Sequence, residues 1–123
     1  MRVLVVDDSR AMRKILGSIL KEFNFEIFEA GNGKIALEVL EKHKKFDLAL
    51  VDWNMPVMNG YEFVCEVRAN SVHNDMKLMM VTTETQIEKV AKALEAGANE
   101  YIMKPFNKEI IAQKLQLLEL VDN

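Results

Sequence analysis

Polar residues capable of chemistry stand directly after apolar runs at four points along the chain. Asp7-Asp8 follow Val3-Leu4-Val5-Val6, Asp52 follows Leu48-Ala49-Leu50-Val51, Thr82-Thr83 follow Leu78-Met79-Met80-Val81, and Lys104 follows Glu100-Tyr101-Ile102-Met103. Each has an ordinary explanation alone, because Asp and Thr after a strand make Asx-turns and helix caps. Together they place three carboxylates, hydroxyls and an ammonium on one rim. Carboxylates drawn together repel, so they either raise a pKa or recruit a cation. Magnesium suits such a set, since it takes oxygen ligands, keeps waters and needs only one or two carboxylates. Asp8, Asp52 and a backbone carbonyl beyond Asp52 are the expected ligands, whereas no ligand-rich loop suggests calcium. A carboxylate held ionised beside the metal can attack phosphorus and carry the phosphoryl group as an acyl phosphate. Asp52 is therefore the candidate nucleophile, with Lys104 and Thr82 meeting the charge on the transferring oxygens.

The elements that must position these residues are legible from periodicity. The four runs are strand-sized, and Phe25 to Glu29 alternates apolar and polar as an edge strand does. Between them lie helical patterns: Met12, Ile15, Leu16, Ile19 and Leu20 behind a Ser9 cap; Ile35, Ala36, Val39 and Leu40; and Phe63, Val64 and Val67. Ile87, Val90, Ala91 and Leu94 are expected on the inner face of a helix starting near Glu84 and ending at Gly97, and Ile110, Ile111, Leu115 and Leu118 on a closing helix. Five strands alternating with five helices require right-handed crossovers and give a doubly wound parallel α/β sheet. Such sheets bind ligands beyond the carboxyl ends of their strands.

Composition narrows the function classes. The 123 residues, half hydrophobic and 28% charged, suit one domain, and no apolar stretch has membrane-spanning length. The start of the chain shows no signal peptide, so a cytoplasmic protein is expected. A net charge of −3, with only the short basic run Lys42, Lys44 and Lys45, gives no support to a nucleic-acid partner. Cys65 reads as a buried or half-buried helix position, and His43 and His73 as solvated surface imidazoles without metal-ligand spacing. No GxGxxG follows the first strand and no GxxxxGK[ST] occurs, which argues against nucleotide binding.

Four motifs, Leu4-Val5-Val6-Asp7-Asp8-Ser9, Asp52-Trp53-Asn54-Met55-Pro56-Val57-Met58-Asn59-Gly60, Met80-Val81-Thr82-Thr83 and Tyr101-Ile102-Met103-Lys104-Pro105-Phe106, span nearly the whole chain. On them the chain resembles the response-regulator receiver domains of two-component signalling, closest in character to the CheY-like single-domain regulators of chemotaxis. The resemblance implies a flavodoxin-like sheet of order 2-1-3-4-5 and a single receiver domain over 1–123. It implies that Asp52 accepts a phosphoryl group from the phosphohistidine of a histidine kinase, and that Asp8, Asp52 and the Asn54 carbonyl ligate Mg²⁺ with Asp7 alongside. Thr82 would be the switch hydroxyl, Lys104 the phosphate-pairing cation, Lys104-Pro105 a cis bond, and Tyr101 the aromatic switch residue. Asn54 and Glu84 would tune the phosphoryl lifetime. Two positions depart from the family: Thr83 stands where relatives keep a small Ala or Gly, and its bulk would slow donor or water access, while Asn59 replaces a frequent Asp.

The implied responding face is helix 4, strand 5 and helix 5, with Lys89, Lys92, Glu95, Asn99 and Tyr101. Its target would be a protein, a flagellar motor switch among the candidates, with a phosphatase as a further partner. No nucleic acid or membrane is expected, and a monomer is. The protein would be a signalling phosphoacceptor, not an enzyme. A phosphorelay intermediate, a phosphate sink, a receiver excised from a larger regulator and a phosphorylation-independent module stay open. A Mg²⁺-dependent phosphatase of the haloacid-dehalogenase type fits poorly, because that family places its nucleophile after strand 1 in an Asp-x-Asp pattern and here strand 1 gives Asp7-Asp8-Ser9.

Overall fold

The computed structural model describes residues 1–43 and 45–122, and only the backbone of Glu84 and Thr85; Lys44 of the basic run and the Glu84 side chain lie outside the described residues. Five strands, β1 (Arg2–Val6), β2 (Glu26–Ala30), β3 (Leu48–Asp52), β4 (Lys77–Thr82) and β5 (Glu100–Met103), form one parallel sheet of order β2-β1-β3-β4-β5. Five α-helices connect or follow them: α1 (Arg10–Lys21), α2 (Gly33–His43), α3 (Gly60–Ala69), α4 (Val90–Ala96) and α5 (Lys108–Leu117). The strand read from Phe25 to Glu29 is the edge strand β2, and both its faces are partly apolar, with Phe28 and Ala30 in one core layer and Ile27 in the other. The solid apolar runs lie inside, and β3 is buried at all five positions, as parallel strands covered on both faces must be.

Strand alternation divides the core in two. Leu4, Val6, Ala49, Val51, Leu78 and Met80 face α2, α3 and α4, whereas Val3, Val5, Leu48, Leu50, Met79, Val81 and Ile102 face α1 and α5. The caps are local. The Ser9 hydroxyl accepts from Met12 N at 3.1 Å, and Asn59 and Glu62 form a reciprocal capping box at the start of α3. Gly97 ends α4 at φ 120°, with the Arg68 side chain packed against its Cα side, where a Cβ would collide.

Several expected inward residues point outward. Ile15 and Ile35 are exposed, and so are Ile87, Ala91 and Leu94. Val90 faces inward as expected, and Ala93 completes the inner face of α4. The stretch Glu84–Lys89 forms a tight 3₁₀ turn before α4, so its residues advance faster around the axis than an α-helical period assumes. Cys65 is exposed, contrary to expectation. The histidines are less solvated than expected: His73 is buried, and His43 packs on Phe28 with ring centroids 4.7 Å apart.

Arg68 ties the opposite end of the sheet together. Its Nε donates to Gly97 O at 2.9 Å, Nη1 to His73 O at 2.9 Å, and Nη2 to Met76 O at 2.7 Å and Asn99 Oδ1 at 2.9 Å. Only the planar fork of a guanidinium can serve acceptors from so many segments at once.

Candidate functional site

The register brings the carboxyl ends of the strands level. Val6 pairs with Val51, Asp52 with Val81, and Thr82 with Met103. Asp7 continues β1 by donating its N–H to Ala30 O at 3.1 Å, and its carboxylate Oδ1 accepts from Ser9 N at 2.8 Å. Its carbonyl accepts from Arg13 Nη1 at 2.7 Å. Lys104, held by its own N–H to Thr82 O at 2.7 Å, extends Nζ to 3.4 Å from Asp52 Oδ1 and 3.8 Å from Asp7 Oδ2. The Lys104–Pro105 bond is cis.

Carboxylate oxygens of Asp7, Asp8 and Asp52 all lie within 4.8 Å of one another. Asp7 is 2% and Asp52 8% exposed, while Asp8 is open to solvent in a cleft shared with Asn54, Met55, Pro56 and Asn59. Asp7 Oδ2 is buried and has no hydrogen-bond partner among the described residues. Burial raises the pKa of Asp7 despite its bond from Ser9, and burial with the neighbouring Asp7 charge raises that of Asp52 despite Lys104. An orphaned buried oxygen, two further carboxylates and open access on one side make a donor set that fits a hard divalent cation.

The loop after β3 must pass close to Asp52. Gly60 permits this, since a Cβ there would strike the Asp52 carbonyl oxygen, and Gly60 N donates to Trp53 O at 2.9 Å. Within the loop Val57 has φ 69° and is 76% exposed, and Met58 N closes a three-residue turn on Pro56 O at 2.7 Å. A β-branched residue is a poor occupant of that conformation.

Thr82 is 1% exposed, and its single hydroxyl proton is shared between two acceptors, Thr83 O at 3.3 Å and Gln86 Oε1 at 3.4 Å. Thr83 is half-buried beside it. Tyr101 is half-exposed on β5, two residues before the partner of Thr82, so both occupy the same sheet face. Lys114 Nζ lies 4.8 Å from the Tyr101 ring centroid. The structure thus gathers Asp7, Asp8, Asp52, Lys104 and Asn54 at one cleft, sets Thr82, Thr83 and Tyr101 one layer away, and leaves the Glu84 side chain undescribed. Lys89 and Lys92, expected on the responding face, lie over the rings of Trp53 at 5.7 Å and Tyr61 at 4.4 Å, the first joining the 3₁₀ turn to the loop after Asp52 and the second joining α4 to α3.

Gln86 was not expected. It is buried, and its Oε1 also accepts from Thr83 N at 3.2 Å. The signal was present as Thr83-x-x-Gln86, the spacing by which a side chain at the third position of a turn reaches back to the capping N–H.

The fold and this rim define a class of signalling domain, and the chain belongs to it: residues 3–116 match the response regulator receiver domain family. The particular relatives are chemotaxis proteins. The chain is 43% identical over 117 residues to the chemotaxis protein CheY homolog of Campylobacter jejuni, covering 94% of this chain and 90% of that one. It is 40% identical over 119 residues to chemotaxis protein CheY1 of Helicobacter pylori, covering 96% of each. The solved structure of Vibrio cholerae chemotaxis protein CheY4 matches with a TM-score of 0.87 at 38% identity, over 95% of this chain and 97% of that chain. The protein is a receiver of the chemotaxis-type response regulators. Among the described residues no helix is long and apolar enough to cross a membrane.

Proposed function

We propose that Asp52 is the phosphoacceptor of a histidine kinase, and that its acyl phosphate switches the α4-β5-α5 face for a downstream protein. The observation that carries this reading is the approach of Lys104 Nζ to Asp52 Oδ1 at 3.4 Å and to Asp7 Oδ2, which accepts no hydrogen bond among the described residues, at 3.8 Å. A carboxylate oxygen of Asp52 attacks phosphorus, and the P–N bond of the donor phosphohistidine breaks. Lys104 then pairs with the new phosphoryl oxygens, and the Thr82 hydroxyl turns toward them. Asp8, Asp52 and the Asn54 carbonyl, with Asp7 alongside, are the residues that would hold Mg²⁺. The ion supplies charge neutralisation on the phosphoryl oxygens. As Thr82 leaves its resting place, Tyr101 on the same sheet face turns inward and changes the surface it shares with Lys114.

Asn54 and Thr83 border the route of an attacking water and, with Glu84, tune the lifetime of the acyl phosphate, which ends by autodephosphorylation or with a phosphatase. The receiver domain over 1–123 acts as a cytoplasmic monomer, with a flagellar motor switch as its target, and assists its own phosphotransfer without turning over a separate substrate. The test is intact-protein mass after acetyl phosphate with Mg²⁺. One Mg²⁺-dependent phosphoryl addition, absent from Asp52→Asn, is expected. No addition from acetyl phosphate or a kinase donor contradicts the reading.

A further inference from the structure

The machinery proposed above leaves one buried polar side chain at the rim unused. Gln86 reaches back from the 3₁₀ turn Glu84–Lys89, its own N–H donating to Thr83 O at 3.0 Å, and presents Oε1 to the end of β4. There Oε1 accepts from Thr83 N at 3.2 Å and, together with Thr83 O at 3.3 Å, shares the Thr82 hydroxyl proton at 3.4 Å. The amide orientation is fixed by chemistry, because a backbone N–H can only donate and so requires the oxygen rather than the nitrogen to face it. One neutral oxygen therefore collects two donors at the carboxyl end of β4, as an oxygen of a phosphoryl group would. We propose that Gln86 is a positioning residue whose Oε1 is a built-in stand-in acceptor, holding the Thr82 hydroxyl in the unphosphorylated protein so that a phosphoryl group on Asp52 must displace it.

The inference rests on Asp52 taking the phosphoryl group. A contact made in one state only opposes, by its own free energy, any ligand that selects the other state. The two hydroxyl contacts, at 3.3 and 3.4 Å, are longer than the usual O–H···O bond of about 2.5–3.0 Å. The hold is accordingly weak, and an anion at Asp52 can overcome it. The Gln86 side chain bonds to the end of β4 and not to the carboxylates of Asp7, Asp8 or Asp52, so its effect should reach the phosphoryl state and not the metal.

The test is the affinity for beryllofluoride, a tetrahedral phosphoryl mimic, read by ¹⁹F NMR with Mg²⁺ present. Gln86→Met, which keeps length and removes the acceptor, should bind roughly two- to five-fold more tightly, the lower half of what one net hydrogen bond provides. Gln86→Glu keeps the acceptor and strengthens it, and should bind more weakly than the parent protein. In a Thr82→Val background the gain from Gln86→Met should shrink, and Mg²⁺ affinity should be the same in the parent protein and in Gln86→Met. An unchanged affinity in Gln86→Met, an equal gain in Gln86→Glu, or an undiminished gain in Thr82→Val overturns the proposal. If Gln86→Met does not fold, Gln86→Glu decides the matter, since its weakening must diminish once the Thr82 hydroxyl is gone. Absence of any Asp52-dependent bound signal in the parent protein removes the phosphoacceptor reading and this inference with it, whereas a normal parent signal with indifferent Gln86 variants removes this inference alone.

Discussion

Lys104 Nζ stands 3.4 Å from Asp52 Oδ1, at the point where β5 ends opposite the end of β3. The same nitrogen lies 3.8 Å from Asp7 Oδ2, so one cation partly neutralises two buried carboxylates. On the proposed function it would compete there with a divalent ion and cooperate with an incoming phosphoryl group. Lys104→Met should therefore move two affinities in opposite directions. Mg²⁺ should bind more tightly by calorimetry. Beryllofluoride should bind about ten-fold more weakly, the low end for a charged hydrogen bond because Lys104 is a quarter exposed. Losses of both affinities together would contradict this division of labour.

The carboxylates oppose the fold when ionised. Burial, joined for Asp52 by the Asp7 charge, raises both pKa values above the ordinary 3.8. A raised folded-state value means the protonated form is favoured by folding: the contribution is fully present below the unfolded pKa and is lost as pH rises through the folded one. In chelator, Asp52→Asn should thus raise the melting temperature at neutral pH, and the gain should fade as pH falls toward 3.8. Mg²⁺ should restore stability to the parent protein and little to the variant. A neutral-pH melting temperature that drops in metal-free Asp52→Asn would show that Lys104 outweighs burial.

The sheet and its catalytic-looking rim were readable because parallel strands demand solid apolar runs, and the polar residue ending each run has only one rim to occupy. Helix faces were harder. Val90, Ala91, Ala93 and Leu94 offer two apolar stripes on α4, and the 3₁₀ turn preceding it decides which one meets the sheet. Gln86 escaped notice for a related reason: its role depends on that turn folding its side chain back to Thr83 and Thr82. His43 and His73 were hidden because their polar sequence neighbours give no hint of Phe28 or of the Arg68 clamp.

That clamp is a stability prediction far from the rim. Arg68 donates to four acceptors from Gly97, His73, Met76 and Asn99, and a lysine ammonium cannot span them. Arg68→Lys should cost about 2 kcal/mol of unfolding free energy, since carbonyls would lose charged hydrogen-bond partners. Urea denaturation monitored by Trp53 emission measures it, and a loss under a few tenths of that would contradict the clamp.

Val57 carries the opposite expectation. Its side chain is 76% exposed and its φ is 69°, so it packs little and occupies a conformation disfavoured for β-branched residues. Val57→Asn should raise stability by about 1 kcal/mol, the cost of holding an ordinary L-residue at positive φ. A higher urea midpoint at unchanged slope is the expected result, and a lower midpoint would show that the valine side chain contributes packing after all.

The central claim concerns one carboxylate among three, and the most direct measurement is the chemical location of the acyl phosphate. Protein treated with acetyl phosphate and Mg²⁺ is reduced with borohydride, which converts a phosphorylated aspartate to homoserine, and its peptides are mapped by mass. Homoserine at position 52, and at neither Asp7 nor Asp8, is the result this account predicts. Homoserine at either of those positions, or at none despite an efficient donor, would contradict it.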